Sequence, residues 1–348
     1  MNGEILAFIV YFVAIVGVGI YFFFKEKGDA TQANFFLGGR QMGPWVAAMS
    51  AQASDMSAWL LMGLPGSILA FGFGQMWIGI GLALGTAANW IFVAKRLRKF
   101  SSAAGDAITV PQYLGNRFLS KSNALQVICA IIFFVCFTIY VASAYVAGAS
   151  VFTAIFPSLS SHAAMIIFAL AMLLITFFGG FKAVCWTDFF QGILMFAALM
   201  TVPIVIAITK DMDPAALSVV YSYKDAVSGE MVECSFGTGL FDASWQDIIS
   251  GLAWGLGYFG MPHILVRFMS IEKPSMVKKS ATVAIIWVIC ALGCACLIAY
   301  FGRMFLAEEL LTAGAQKMVS IDFARKLFPS FIAGILMAAI IAASMSTA

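Results

Sequence analysis

Charge is what this chain has least of. Only 11% of its 348 residues are Asp, Glu, Lys or Arg, less than half the share in an ordinary soluble domain. A net charge of +3 supplies no basic field, which excludes a nucleic-acid binder. Seven cysteines in so long a chain are too few for a disulfide-stapled scaffold, and nine prolines too few for a collagen-like one. Disorder is excluded by what takes the place of charge: 62% of the residues are hydrophobic. A water-soluble globule of this size cannot bury that much apolar surface, so the chain reads as an integral membrane protein, all-α and polytopic.

The few charges are spaced. Charge-free runs cover 5–24, 56–94, 122–181, 189–209, 248–266, 280–302 and 327–348, and one crossing needs about 20 apolar residues. The second run extends back to 41 apart from Asp55, giving segments near 41–68 and 74–94 on either side of Phe71-Gly72-Phe73-Gly74. The 60-residue run breaks at Phe156-Pro157-Ser158. Nine hydrophobic helices are expected, because hydrocarbon leaves unpaired backbone groups no water.

With the N-terminus outside, Lys25, Lys27, Arg40, Lys95, Arg96, Arg98, Lys99, Arg117, Lys121, Lys182, Arg267, Lys273, Lys278 and Lys279 fall inside, 14 of the 20 basic residues. The positive-inside rule therefore predicts an outside N-terminus; the expected location of this multi-pass protein is the plasma membrane, the cytoplasmic membrane in a bacterium. Residues 210–247 form the longest polar stretch, read as an outside surface element whose Cys234 is the one cysteine expected to be exposed. Cys290, Cys294 and Cys296 share one segment without a His or carboxylate beside them, and read as small buried hydrophobes rather than metal ligands.

Neither H-E-x-x-H nor G-x-S-x-G occurs, so an enzyme is not expected. Gly255-Leu256-Gly257-Tyr258-Phe259-Gly260 matches the dinucleotide fingerprint, but it lies inside a hydrophobic segment and not in a βαβ unit. Segment 7 (Gly251-Leu252-Ala253-Trp254-Gly255 to Met261-Pro262) and segment 2 (Ala53-Ser54-Asp55-Met56-Ser57 to Gly63-Leu64-Pro65-Gly66) are both interrupted by glycine, proline or polar residues. They are five crossings apart and so run in opposite directions. Paired broken helices of this kind point to the binding site of a secondary transporter; the alternative, glycines that only allow close packing, fits Gly81 and Gly85 of segment 3.

Asp55 lies 15 residues past Arg40, ~22 Å along an ideal helix and deep in the hydrocarbon. An intramembrane carboxylate is a functional candidate by default, with a structural partner for a backbone amide at the break as the alternative. Asp188 sits at the inside end of segment 6, where exposure is expected and function and structure weigh equally. Segment 9 ends in Ala343-Ser344-Met345-Ser346-Thr347. Its hydroxyls could simply bond back to the preceding turn, but with unwound carbonyls of Ala53 and Met56 they could make a sodium site.

The motifs Leu37-Gly38-Gly39-Arg40, Ala53-Ser54-Asp55-Met56-Ser57, Phe137-Thr138-Ile139-Tyr140, Trp186-Thr187-Asp188, Gly255 to Gly260 with Pro262-His263-Ile264-Leu265, and Met345-Ser346-Thr347 together resemble the sodium:solute symporter family, and within it the proline carriers. The resemblance runs in order from about residue 37 to the end. It implies a LeuT-type fold: an extra N-terminal helix and inside loop (1–40), a first five-helix repeat (41–209), the outside loop (210–247) and a partial second repeat (248–348), truncated in that repeat and hence a fragment of a longer symporter.

It also implies alternating-access transport, with Na⁺ as coupling ion and no organic cofactor. The implied sodium ligands are Ala53, Met56, Ala343, Ser346 and Thr347. Asp55, Asp188 and Arg40 are implied in coupling or the ion path, and Ser57, Tyr140, Trp254, Tyr258 and Pro262 in a substrate pocket, most closely one for L-proline. The partners are then a small solute, Na⁺ and the lipid bilayer, with no obligate protein partner evident. Another solute, or a non-transporting sensor of the same fold, is the alternative. The chain departs from the family pattern at Ala58, where glycine stands in it, and a Cβ there is expected to stiffen the break.

Overall fold

The computed structural model describes residues 2–26, 31–225 and 228–348, so Lys27 of the inside set lies outside the described residues. All nine expected segments are helical. They are α1 (Asn2–Glu26); α2, divided into α2a (Pro44–Met56) and α2b (Gly63–Phe71); α3 (Phe73–Ala103); α4 (Ala124–Ile155); α5 (Ser161–Leu174) and α6 (Gly179–Thr209); α7, divided into α7a (Trp245–Ala253) and α7b (Pro262–Ser270); α8 (Pro274–Phe305); and α9 (Ser330–Thr347). Among the described residues six helices are long and apolar enough to cross a bilayer singly, and α7a with α7b makes a seventh, bent by 45°. The other two expected segments, α2 and α5, include apolar pieces shorter than a span, Ala58–Phe71 and Ser161–Leu174.

Local chemistry sets the boundaries. Pro44 and Pro262 occupy first helical turns, where the missing N–H costs nothing. Ser160 and Ser244 cap their helices by accepting from Ala163 N and Asp247 N. The helix from Ser161 to Thr209 contains one non-helical residue, Gly180 (φ 60°, ψ −174°), a conformation open to glycine.

The helix ends gather into two poles. At one, Arg40 donates to Met269 O and Ala107 O (2.7 and 2.9 Å), Arg98 to the carbonyls of Ile271 and Glu272, and Met42 N to Ser270 O. At the other, Arg325 grips Glu4 (3.1 Å) and donates to Ala154 O, while Gly72 and Phe73 pair with Gly237. The start of α2 and the ends of α3 and α7 thus share one pole, and the start of α1 and the end of α4 the other, as alternating crossings require.

The polar stretch 210–247 is a surface element, but it is not featureless. It carries an antiparallel hairpin, β1 (Tyr221–Lys224) on β2 (Met231–Cys234). Arg303 of α8 rises beneath it, buried, and donates to Leu69 O, Val219 O and Cys234 O, with its guanidinium 5.0 Å from the centre of the Tyr221 ring. Cys234 is consequently fully buried, correcting the expectation of exposure. A polar neighbourhood in sequence says nothing about a residue that the hairpin turns inward. All seven cysteines are free, and the exposed one is Cys136 on α4.

The glycines of α3 and α7 meet each other. A Cβ on Gly81 would strike the backbone of Gly251 and Leu252, and one on Gly85 the carbonyl of Gly255; reciprocally, Gly255 lies against Gly81 and Gly85. Close approach of two backbones through small residues is how membrane helices gain contact without a hydrophobic driving force. Gly255 of the false dinucleotide motif is accounted for by this crossing, whereas a Cβ on Gly257 or Gly260 would meet its neighbours only at ordinary van der Waals distance. Gly85→Val is therefore expected to push α3 off α7 at a cost above the ~1–3 kcal/mol of ordinary overpacking. Size-exclusion profiles of the complete protein in detergent should lose the monodisperse peak, while Gly257→Ala keeps it.

Candidate functional site

The break in α2 begins at Ser57, whose φ of 49° and ψ of −176° end α2a. Its hydroxyl accepts from Trp59 N (3.1 Å), stabilising a 3-10 turn over Ala58–Leu60. The positive φ falls on Ser57 and not on Ala58, so the Cβ at 58 is accommodated. The break in α7 is a 3-10 stretch, Trp254–Phe259, followed by Gly260-Met261 before α7b.

Against the end of α2a lies the end of α9. Ser346 Oγ donates to Ala53 O (2.8 Å) and is 3.2 Å from Ala343 O; Thr347 Oγ1 is 3.1 Å from Ser54 O and 2.9 Å from Ala343 O. Ser346 and Thr347 are three and four residues past Ala343, so both hydroxyls rise over its carbonyl on one face. The cluster is made wholly of oxygens, the donor set of a hard monovalent cation and one that thiolates cannot supply. It brings together Ala53, Ala343, Ser346 and Thr347 as expected, and adds the Ser54 carbonyl. Met56 O makes none of these contacts.

Asp55, next in the chain, turns the other way. Its Oδ2 accepts from the Tyr258 hydroxyl (2.5 Å), and the Tyr140 hydroxyl donates to its carbonyl (3.1 Å). The two tyrosines thus bind the α2 break from α7 and α4. Tyr258 is fixed from behind, since Asn89 in a π-helical turn of α3 donates to Tyr258 O (2.9 Å); such turns concentrate at functional sites. Tyr258→Phe removes the donor to a buried carboxylate oxygen, an interaction of about 1.5–3 kcal/mol. If the complete protein is a transporter, as the resemblance implies, its initial uptake rates should show kcat/KM reduced about tenfold or more, with the amount of protein in the membrane near normal.

Asp188 departs from expectation. It is 1% exposed, paired with Arg267 (2.7 Å) and reached by the Ser50 and Ser54 hydroxyls at 2.7 and 3.2 Å. Arg267 also donates to Ser50 Oγ, Ser54 Oγ and His263 O, and is itself buried, not a residue of an inside loop. Burial follows because α7b carries Arg267 toward α2a and α6. Ser54 joins this pair to the oxygen cluster, since its hydroxyl also lies 2.8 Å from Ser346 O. A cavity of about 180 Å³ is lined by Ser54, Asp188, Gln191, Arg267, Ser346 and Thr347, with His263 in its wall. His263 stacks on Tyr140, and neither ring nitrogen has a hydrogen-bond partner among the described residues.

Other expected residues lie elsewhere. Trp254 is half exposed and stacks on Trp59 (18° between planes). Pro262 lines a separate groove with Thr109, Val110 and Phe133. Arg40 belongs to the basic pole, paired with Asp106 at 3.1 Å. Burial and then the nearby Arg98 charge lower its pKa from the ordinary arginine value, opposed by Asp106. Arg267, Ser50, Ser54, Gln191 and His263 were missed. The available signal was an arginine within Ile264-Leu265-Val266-Arg267-Phe268-Met269, and serines four apart on an apolar helix.

Comparison with known proteins places this geometry. The model of the sodium:solute symporter family matches residues 35–348. The chain belongs to that family. It is similar to sodium/proline symporter 2 of Staphylococcus saprophyticus, 39% identical over 339 residues, which are 97% of this chain and 64% of that protein. The sodium/proline symporter of Staphylococcus aureus gives 39% over 338 residues with the same coverage. The chain thus spans 64% of the length of these curated relatives. Among solved structures, that of a Na⁺-coupled sialic acid symporter in a substrate-bound outward-open state matches with a TM-score of 0.73 at 19% identity, covering 99% of this chain and 70% of that one. The chain therefore has the expected fold, all-α, polytopic and LeuT-type.

Proposed function

We propose that the complete protein couples inward movement of Na⁺ to uptake of a small organic solute, L-proline before others, by alternating access across the plasma membrane with the basic pole toward the cytosol. The observation that carries this reading is the oxygen cluster where the Ser346 and Thr347 hydroxyls meet the Ala53, Ser54 and Ala343 carbonyls. Sodium held there joins α9 to the break in α2. The same break carries Asp55, bound by Tyr258 of α7 and Tyr140 of α4. A cation that stiffens one side of the break shapes the other, so each ligand favours the same state and tightens the other. Inward movement of one Na⁺ adds about 2.3 kcal/mol per 100 mV to its concentration gradient.

Proline as the solute is supported by the names of the relatives at 39% identity. The rings of Tyr140 and Tyr258, brought together at Asp55, could cover a saturated ring while backbone groups freed at the breaks take its charged ends. A different solute is the second reading, because the same fold occurs in a carrier named for sialic acid. Uptake of labelled proline by the complete protein in proteoliposomes tests both. Sodium-dependent accumulation is expected; sodium-dependent uptake of another solute but not proline would leave the coupling and remove the substrate.

A further inference from the structure

A groove of about 610 Å³ runs between α2a, α6 and α8. Its walls are Trp45, Met49, Phe189, Phe196, Ile286 and Trp287, and of its ten lining residues only Lys279 and Thr282 are polar. At the basic pole the Lys279 ammonium lies 5.9 Å from the centre of the Trp45 ring, which is 52% exposed. Lys278, also exposed, precedes Lys279 in the chain. The acid nearest in sequence, Glu272, is paired with Lys273 at 3.5 Å, and among the described residues neither Lys278 nor Lys279 has an ion-pair partner.

We propose that this groove binds a phospholipid with a net anionic headgroup. Any lipid-facing groove admits an acyl chain. What selects a headgroup is fixed charge at the depth of the phosphate, and lysines with an indole at the interface supply it. A zwitterionic headgroup brings its own cation to the two ammonium groups and gains less.

The site reaches the transport machinery directly. Met49 precedes Ser50, whose hydroxyl donates to Asp188, and Phe189 follows Asp188. Trp287 Nε1 donates to Gly192 O (3.3 Å), linking α8 to α6 behind the groove. An acyl chain here packs against α6, which carries Asp188, and α2a, whose Ser50 and Ser54 hydroxyls bond Asp188 and Arg267, so its occupancy biases how far these two helices can separate.

The test uses the full-length protein in nanodiscs of zwitterionic lipid with increasing phosphatidylglycerol brominated on its acyl chains. Tryptophan fluorescence of a Trp45→Phe/Trp287→Phe variant supplies the background. The difference signal from these two residues is expected to be quenched at a several-fold lower fraction of brominated phosphatidylglycerol than of brominated phosphatidylcholine. Lys278→Gln and Lys279→Gln should each raise the fraction needed about fivefold, whereas Lys279→Arg preserves the preference. Equal quenching by the two lipids would reduce the groove to ordinary boundary lipid. No quenching by either would mean that protein, from the rest of the chain or from a second copy, covers it. Either result overturns the proposal, and neither depends on transport.

Discussion

Thr347→Ala is expected to raise the sodium concentration for half-maximal uptake by about tenfold or more, with little change in the amount of protein in the membrane. The hydroxyl lost is one of two that carry α9 onto α2a, and it lies within 3.1 Å of both the Ser54 and the Ala343 carbonyls. A bound cation can take its lone pair while its proton stays on one carbonyl. Deleting it therefore removes a ligand and leaves a carbonyl poorly paired, and an oxygen contact to a charged partner is worth about 1.5–3 kcal/mol. Each ~1.4 kcal/mol is a factor of ten in affinity. Thr347→Ser keeps the oxygen and should return most of the sodium affinity. Uptake measured against sodium at fixed solute distinguishes this from misfolding, and an unchanged sodium dependence for the alanine variant would take Thr347 out of the site.

How legible the site was depends on which side of a helix break a residue stands. Ser346 and Thr347 are readable because their spacing from Ala343 fixes them over one carbonyl whatever α9 packs against. The breaks themselves announce their positions through Ser57, Gly260 and Pro262, each with a local reason to stop a helix. Trp254 and Tyr258, by contrast, look equivalent in sequence, one turn apart beside the same break. The 3-10 winding of that stretch rotates them unlike a regular helix, sending Tyr258 to Asp55 and Trp254 to the exposed face against Trp59. Arg267 was misread for a different reason. A basic residue near the end of a span satisfies the positive-inside pattern equally well whether it reaches the surface or turns back inside. Only the packing of α7b beside α2a and α6 decides between the two.

Arg267→Ala should then be the most damaging single change in the molecule, abolishing uptake and lowering thermal stability in detergent sharply. Arg267 joins three helices: it pairs with Asp188 of α6, donates to Ser50 and Ser54 of α2a, and holds His263 O within α7b. Removing it strands Asp188, 1% exposed, with only two hydroxyls to satisfy it. Breaking a buried pair on one side costs about 3–5 kcal/mol, while neutralising both members together is often close to free. A second variant, Asp188→Asn with Arg267→Gln, keeps the shapes and removes both charges. If the pair serves only the fold, this double variant recovers melting temperature and uptake together. The sharing of Ser54 between the pair and the carbonyl cluster predicts otherwise: melting temperature recovers to near the native value, while sodium-dependent uptake stays at least about tenfold down. On the proposed coupling, sodium leaving the Thr347 cluster would meet its first fixed charges at this pair, because Asp188 and Arg267 line the same cavity as Ser346 and Thr347. Full recovery of sodium-dependent uptake by the double variant would confine Asp188 and Arg267 to holding α2a, α6 and α7b together.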